Sequence, residues 1–390
     1  MKLPKGFLAS GIRCGIRKKR PDLGLIVAHD GAEAAAVFTQ NRFLAAPVVL
    51  SRAALKKSGG KVRAVLVNAG CANAVTGQPG TDAAKRTRSR TAELLRCPEE
   101  EIFLASTGVI GVVLPDAKVR QSLPDAIHRL SSGGIDALSH AILTTDVGPK
   151  VAQVTFTLDG RRGRLVGVAK GAGMIHPNMA TMLAFVMTDA DIPAAALQKC
   201  IKQAVDQSFN SISVDGDTST NDTVLLLASG KLGNARSAPL DDFQRALDTL
   251  CRQLAWMIVR DGEGAIRVME IEVTGAKSAR DARLAAHAIA TSPLVKTALH
   301  GGDPNWGRIL AAVGRSGATF SVKRVTLKVG AVTLVRDGQP AVYREKDAAR
   351  VFSRERVPVH VDLGGGFGRA VLFTSDLGHD YVSLNADYRS

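Results

Sequence analysis

Aromatic residues are scarce in this chain of 390 residues: only 4% are Phe, Trp or Tyr, whereas 45% of all residues are hydrophobic. Val, Ile, Leu and Ala therefore have to fill the core. The basic residues do not alternate with aromatic ones, so the sequence offers no stacking platform for a single-stranded nucleic acid. With 22% charged residues, the remaining composition is that of an ordinary globular protein.

Cysteine is also uncommon, with only five in the chain. They are odd in number, widely spaced and never arranged as CxxC. This pattern argues against a disulfide framework and against a cysteine-rich metal site. The eight histidines are scattered without an HExxH motif, so we predict no zinc site. The segment Asp215–Asn221 carries oxygen ligands, but a calcium loop would need Gly at Thr220 and Glu at Leu226. We therefore predict no metal site.

Long apolar runs are absent, since none approaches the roughly 18 to 20 residues that span a membrane. The first six residues, Met1–Gly6, lack the apolar stretch of a signal peptide. We therefore expect a cytoplasmic protein without a membrane partner.

Acidic residues are few in the first part of the chain. Residues 1–180 carry 26 Lys and Arg against 13 Asp and Glu, whereas residues 181–390 carry 25 against 23. A basic region of this kind binds nucleic acid, attracts acidic small molecules, or is simply a solvated surface. We favour the solvated surface and predict no nucleic-acid partner.

Short β-rich runs alternate with amphipathic helical stretches along the chain, which predicts an α/β protein of two or three domains. The Asp30-Gly31 pair between two apolar runs predicts a β-hairpin. The glycine-rich stretch Gly364–Gly368 follows an apolar strand without dinucleotide-binding spacing, and we interpret it as another hairpin turn. The strands and helices that we predict include Val62–Val67, Thr81–Leu95, Ile102–Ala105, Val151–Leu158, Met182–Met187, Ala194–Gln207, Val224–Ala228, Asp241–Val259, Met269–Val273, Asp281–Ala290, Val325–Val329, Val359–Asp362 and Ala370–Phe373.

The segment Lys170–Leu183 contains an irregular loop rich in glycine and proline, which ends at Ala180 and Thr181 just before an apolar strand. A strained peptide bond before Thr181 is open to attack by the hydroxyl of that threonine, and water then splits the resulting ester. The new N-terminal threonine would hold a hydroxyl nucleophile and its own α-amine as general base. The amine has an ordinary pKa of about 7.7–8.0, which suits proton transfer near neutral pH. The alternative is that Thr181 only begins a buried strand.

Acyl transfer by such a nucleophile also requires hydrogen-bond donors for the developing oxyanion. The segment Ser106–Gly111 directly follows a predicted strand and contains glycine, which exposes backbone N–H groups. The alternative is an ordinary turn from strand to loop.

These segments resemble the ornithine acetyltransferase family, also called glutamate N-acetyltransferase. The resemblance covers nearly the whole chain, because the family's other segments follow in the same order. They are Val37–Asn41 with Ala45–Val48, Asn68–Ala74 with Thr76-Gly77, Ser106–Gly111, Thr144–Asp146 with Pro149-Lys150, Ser208–Asn210 with Val214–Asp222, Val259–Ala265, Asp303–Arg308, and Tyr381-Val382 with Asn385-Ala386 and Tyr388–Ser390.

The resemblance implies a layered α/β sandwich of the ornithine acetyltransferase and DmpA-like type, which cuts itself between Ala180 and Thr181. Residues 1–180 would form an α fragment with the oxyanion hole, and residues 181–390 a β fragment with the nucleophile. Two copies of each fragment would form a heterotetramer. The residues that the resemblance assigns are Thr181 as nucleophile, Thr107 and Gly108 as oxyanion hole, and Thr145, Lys170, Thr181, Glu263, Asn385 and Ser390 as substrate-binding residues.

The implied reaction moves an acetyl group from N-acetylornithine to glutamate through acetyl-Thr181, in a ping-pong sequence without a cofactor. Some family members also accept acetyl-coenzyme A as donor. A carboxylate of either substrate suits Lys170, and the ornithine ammonium suits Glu263. Without the resemblance, both side chains would be interpreted as surface charges. The chain departs from the family at Ile266-Arg267, where Thr-Lys is usual, and at Ser390, where many members carry Thr.

Two other functions remain to be compared with the acetyltransferase. One is an N-terminal-nucleophile hydrolase of the same fold, such as an aminopeptidase, which would release acetate from N-acetylornithine without glutamate. The other is a basic nucleic-acid-binding protein, which would stay uncleaved and bind DNA or RNA in a salt-sensitive way.

Overall fold

A computed structural model describes residues 1–176 and 182–387 of the chain. The described residues divide into two compact units. The first unit contains Met1–Asn210 and Asp217–Ile258, and the second contains Ser211–Gly216 and the chain from Val259 onward. The predicted cut between residues 180 and 181 therefore falls inside the first unit rather than between the units.

The helices and strands alternate along the chain as the sequence predicts. Up to residue 206 they are β1 (Phe7–Ile12), β2 (Leu23–Phe38), α1 (Ala46–Lys57), β3 (Lys61–Cys71), α2 (Gly77–Leu95), β4 (Ile102–Val109), α3 (Asp116–His128), α4 (Ile135–Ala141), β5 (Lys150–Leu158), β6 (Arg161–Lys170), β7 (Leu183–Thr188) and α5 (Ala194–Asp206). After it they are β8 (Ile212–Ser213), β9 (Thr223–Ala228), α6 (Asp241–Arg260), β10 (Val268–Ala276), α7 (Ala279–Ala290), α8 (Pro293–Gly301), α9 (Trp306–Gly314), β11 (Thr326–Val329), β12 (Val332–Arg336), β13 (Gln339–Pro340), α10 (Glu345–Phe352), β14 (Arg356–Asp362), β15 (Gly368–Ser375) and α11 (His379–Asp387).

The first unit is built on a mixed sheet with the strand order β4-β3-β2-β9-β7-β6-β5, and β1 pairs with β2 beside it. Strand β7 pairs antiparallel with β6 over six residues and parallel with β9 over six more. The strand that begins after the predicted cut is therefore hydrogen-bonded on one side to a strand that precedes it.

Both faces of this sheet are buried, which explains why its strands are apolar at consecutive positions. Val65 and Val67 of β3 belong to the core that contains Leu138 of α4. Leu66, which points to the opposite face of the same strand, packs in the core that contains Ala83 of α2 and Leu123 of α3. The first unit thus has helices on both sides of one sheet.

The hairpin predicted at Asp30-Gly31 is wrong. Residues Leu23–Phe38 form one strand of 16 residues, and its register on β3 shifts between Val27 and Ala32. Before the shift β2 pairs with β1, and after it β2 pairs with β9. The apolar runs on either side of the glycine therefore have different neighbours, and a bulge, in which Gly31 has a φ of 84°, joins them.

The second unit is built on a sheet with the order β13-β12-β11-β14-β10-β15-β8. Strand β10 lies between β14, to which it is parallel, and β15, to which it is antiparallel. The hairpin predicted at Gly364–Gly368 is therefore also wrong, because β14 and β15 each pair with β10 and not with each other. The buried face of this sheet packs against helices α7 to α10, including Ile289, Leu299 and Phe352.

The prediction of an α/β fold with sheets and helices is confirmed. Within residues 1–176 and 182–387, the helices are too short or too polar to cross a membrane.

Candidate active site

Thr107 and Gly108 lie at the end of β4, where β4 runs parallel to β3. The ladder between the strands shifts register at Gly70 and Cys71. Gly108 has a φ of 127°, and a Cβ at this position would lie 2.4 Å from the carbonyl carbon of Gly70. A side chain is therefore excluded at position 108, and the irregular strand end is a place where backbone groups can be turned toward a ligand.

Lys170 is the last residue of β6 and is only 2% exposed. Its ammonium donates a hydrogen bond of 2.7 Å to the Thr144 hydroxyl and lies 3.8 Å from Oδ2 of Asp146. Lys170 is thus not a surface cation. Thr145, the predicted substrate residue, is half-buried in the turn between α4 and β5, next to this threonine.

Asp146 is the centre of a buried charged cluster that the sequence analysis did not assign. Its Oδ1 accepts hydrogen bonds of 2.7 Å from the Lys150 ammonium and 2.6 Å from the Gly171 N–H. Burial alone would raise the pKa of this carboxyl, but attraction by Lys170 and Lys150 and the Thr144 N–H together hold the pKa well below its ordinary value. Two lysines and one carboxylate leave a net positive charge at the end of β6, which favours an anionic group of a substrate.

Met182 connects the predicted nucleophile to the sheet. Its backbone N–H donates to Oδ1 of Asp222 at 2.8 Å, and its carbonyl accepts from the Thr223 N–H at 3.1 Å. Oδ2 of Asp222 is buried and has no hydrogen-bond partner among the described residues. Burial raises the pKa of Asp222 well above its ordinary value, despite the Met182 N–H and the charge of Lys170.

Three predicted site residues, Ala180, Thr181 and Ser390, lie outside the described residues. His176, which ends the described chain before the predicted cut, is half-buried. Burial lowers the pKa of its imidazole, and Asp217 partly opposes this effect.

Glu263 and Asn385 meet in the second unit, although 122 positions separate them in sequence. The amide of Asn385, on α11, donates to Oε2 of Glu263 at 2.8 Å and to the Tyr381 carbonyl at 3.0 Å. The turn that carries Glu263 is fixed by Asp376, because Oδ1 of this buried carboxyl accepts the N–H groups of Ile266 and Arg267. The structure therefore pairs two predicted substrate residues whose contact no local sequence pattern predicts.

Arg267, at a position where the ornithine acetyltransferase family usually has Lys, has a structural role. The Arg267 guanidinium donates to the carbonyls of Leu299 and His300, which are the last turn of α8. A cation at this helix end is favourable because the unpaired carbonyls carry partial negative charge. Within the described part of the chain, no group of three or more His, Cys, Asp or Glu side chains is placed to hold a metal ion.

The mixed sheets with their helices define an α/β protein, and its candidate site combines the glycine-dependent end of β4 with the buried cations at the end of β6. The sequence model of the ArgJ family matches residues 8–390. The arginine biosynthesis bifunctional protein ArgJ of Chlorobaculum tepidum is 46% identical over 391 residues, with 99% of this chain and 96% of that protein covered. The protein of the same name from Caldanaerobacter subterraneus is 45% identical, with 100% and 98% covered. The chain belongs to the ArgJ family and is an enzyme of arginine biosynthesis.

A solved structure supports the fold over about half of the chain. The crystal structure of arginine biosynthesis bifunctional protein argJ from Bacillus halodurans has 39% sequence identity and a TM-score of 0.51. The match covers 52% of this chain and 98% of that one.

Proposed function

We propose that the enzyme transfers an acetyl group from N2-acetylornithine to glutamate, with Thr181 as the acetyl carrier. The observation that carries the proposal is the match to the ArgJ family over residues 8–390, which includes every residue assigned to the site. The buried Lys170 and the glycine-dependent strand end at Gly108 agree with this assignment.

In the first half-reaction, Oγ of Thr181 attacks the acetyl carbonyl while the α-amine of Thr181 takes the hydroxyl proton. Thr107 and Gly108 bind the oxyanion that forms. The bond from the acetyl carbon to the ornithine nitrogen then breaks, and that nitrogen receives the proton as ornithine leaves. In the second half-reaction, the glutamate amine attacks acetyl-Thr181, the ester bond breaks, and Oγ regains its proton.

Substrate recognition follows from charge. Lys170, with Thr145 beside its cluster, binds a carboxylate, because a buried ammonium forms strong charge-assisted hydrogen bonds. Glu263, oriented by Asn385, binds the side-chain ammonium of ornithine, and Ser390 contributes a further contact. The relatives are named bifunctional, so acetyl-coenzyme A should also be assayed as a second donor of the acetyl group.

The enzyme reaches its active form by cutting itself between Ala180 and Thr181. The fragments remain associated, because β7 of the second fragment is paired with β6 of the first over six residues. The solved relative matches about half of this chain while nearly all of its own is covered, which agrees with a protein made of two chains. Two copies of each fragment form the proposed heterotetramer, which works in the cytoplasm.

Thr181→Ala tests the nucleophile. The 41.1 kDa chain should give fragments of roughly 19 and 22 kDa in proportion to their residue numbers, whereas Thr181→Ala should stay whole because a methyl group cannot attack a carbonyl. Thr181→Ser is the matched control, since it keeps a hydroxyl and should still be cleaved. Mass spectrometry under denaturing conditions, with the N-terminus of the larger fragment determined, provides the readout. An unmodified chain that folds but stays at full length would exclude this mechanism.

The alternative on the same fold is a hydrolase that uses water as acceptor. The two activities are separated by incubating the cleaved enzyme with N-acetylornithine and measuring both ornithine and acetate, with and without glutamate. We expect more than one equivalent of ornithine per enzyme only when glutamate is present. Steady release of acetate without glutamate would favour the hydrolase.

A further inference from the structure

A buried polar segment, Ser219–Asp222, lies beside both halves of the proposed catalytic apparatus. All four of its residues are at most 7% exposed. The segment is anchored to the end of β2, because the Thr39 hydroxyl donates to the Ser219 carbonyl at 2.7 Å and the Thr39 N–H donates to the Asp222 carbonyl at 3.0 Å. Buried polar groups with this many partners hold a fixed geometry.

Asn221 fixes the side of the site that carries the oxyanion residues. Its amide nitrogen donates to the Ser106 carbonyl at 2.9 Å and to the Ala72 carbonyl at 2.7 Å. Its amide oxygen accepts the Thr220 hydroxyl at 2.6 Å. The Ser106 carbonyl belongs to the peptide bond that leads into Thr107, so Asn221 sets the position of that peptide.

Asp222 contacts the residue that follows the proposed nucleophile in sequence. Its Oδ1 accepts the backbone N–H of Met182 at 2.8 Å. Asn221 and Asp222 are consecutive, so one peptide unit connects the side chain that contacts Ser106 to the side chain that contacts Met182.

We propose that Asn221 and Asp222 are positioning residues, which together set the distance between the oxyanion donors at Thr107 and Gly108 and the nucleophile Thr181. This inference rests on the proposed function and adds to it two residues that touch no substrate. Acyl transfer is sensitive to this distance, since a displacement of about 1 Å in a catalytic site lowers rates by about 100-fold.

The contact itself indicates which substitution should be tolerated. One oxygen of the Asp222 side chain accepts the Met182 N–H, and the amide oxygen of an asparagine of the same shape can accept it equally. Asp222→Asn should therefore retain the function of the aspartate, whereas Asp222→Ala removes the acceptor.

The test compares Asp222→Ala, Asp222→Asn and Asn221→Ala in the full chain. Ser51→Ala is the matched control, because the Ser51 hydroxyl is buried and bonded to Leu104 in the same strand β4, away from the strand's catalytic end. The readouts are the rate of self-cleavage, the kcat per cleaved chain and the KM for N-acetylornithine. Circular dichroism identifies the variants that fold.

We expect Asp222→Ala and Asn221→Ala to cleave and turn over about 100-fold more slowly, with KM near that of the unmodified enzyme. Asp222→Asn and Ser51→Ala should stay within about threefold of it, since neither loses a positioning contact. If Asp222→Ala does not fold, the comparison of Asn221→Ala with Ser51→Ala decides.

Two results would overturn the proposal. In one, the folded alanine variants react as fast as Ser51→Ala. In the other, Asp222→Asn loses as much activity as Asp222→Ala, which would make the aspartate a proton-transfer group. Failure of the proposed function is distinct from both, because the unmodified chain and Ser51→Ala would then themselves show no cleavage or no acetyl transfer.

Discussion

Each unit of the molecule buries lysine side chains, but the two units surround them differently. In the first unit, Lys150 and Lys170 are each 2% exposed, and both lie within 4.0 Å of the Asp146 carboxylate. In the second unit, Lys296 of α8 is 3% exposed, and its ammonium donates to the Thr374 hydroxyl at 2.9 Å and to the carbonyl and hydroxyl of Ser375.

The partners of Lys296 are neutral, and this has a consequence for its charge. In the described part of the chain no carboxylate lies within 4 Å of the Lys296 ammonium. The neighbouring carboxylate, Asp376, is instead hydrogen-bonded to the N–H groups of Ile266 and Arg267 and to His300. Burial lowers the pKa of Lys296 to about 7, although Asp376 and Asp215 oppose the shift from a distance. Burial among neutral partners, without a carboxylate in direct contact, is thus enough to lower the pKa of a lysine.

Asp146→Asn should destabilise the enzyme more than any other variant of these two clusters. The amide leaves two buried ammonium groups without a counter-charge, and removing one partner of a buried ion pair typically costs about 3–5 kcal/mol. We expect a loss of this size in the free energy of unfolding at pH 7, measured by urea denaturation. The control is Asp116→Asn, whose partners Arg86 and Arg120 are 52% and 39% exposed, and which should lose much less. Equal losses in the two variants would show that the Asp146 cluster does not behave as a buried pair.

Lys296→Met tests whether Lys296 loses its proton among its neutral partners, through the pH dependence of the free energy of unfolding. Between pH 7 and 9 the folded chain holds Lys296 largely unprotonated, whereas the unfolded chain, with an ordinary lysine pKa of about 10.4, still holds the proton. The unfolded state binds more protons, so the stability of the unmodified enzyme relative to Lys296→Met should rise with pH, by at most about 1.4 kcal/mol per unit. Below pH 7 the difference should level off.

Lys150→Met is measured alongside as the matched removal of a buried lysine, because Lys150 donates directly to the Asp146 carboxylate at 2.7 Å. Denaturation curves at four pH values decide the matter. A flat profile for Lys296→Met would mean that Lys296 is charged in the folded enzyme despite its neutral partners.

The clusters also show what the sequence could predict. Strands such as β3, β7 and β9 were predictable because apolar residues that fill a sheet buried on both faces are local signals. The residues at the site were assigned through family motifs, which include Asp146 and Lys150 but give neither of them a role beside Lys170. Lys170 is buried beside Asp146 because the end of β6 packs against the segment before β5. No local sequence pattern encodes this long-range contact.

The pairing of strands was not predictable from local sequence either. The run around Asp30-Gly31 contains the residues of a hairpin, but β2 continues because β1 and β9 take the two positions beside it. The contact between Glu263 and Asn385 depends on the turn fixed by Asp376 and on where α11 begins. Such pairings are long-range packing results, and they override a turn signal that is worth little by itself.

The two lysine clusters each contain one threonine hydroxyl that accepts a hydrogen bond from the ammonium, and its removal should have a small effect on stability. Thr144 accepts the Lys170 ammonium at 2.7 Å, and Thr374 accepts the Lys296 ammonium at 2.9 Å. Valine has the shape of threonine without the acceptor, so Thr144→Val and Thr374→Val form a matched pair. A hydrogen bond to a charged group contributes about 1.5–3 kcal/mol and a neutral one about 0.5–1.5 kcal/mol.

Thr374→Val should therefore destabilise the enzyme more at pH 6, where Lys296 is protonated, than at pH 9, where it is not. The Thr374 hydroxyl also donates to the Ala290 carbonyl at 2.8 Å, but that part of the loss is the same at both pH values. Thr144→Val should cost the same at pH 6 and pH 9, because the carboxylate of Asp146 stays beside Lys170 throughout. If the two variants respond to pH alike, the clusters differ in geometry and not in charge, and the contrast between the two units would have to be sought in packing.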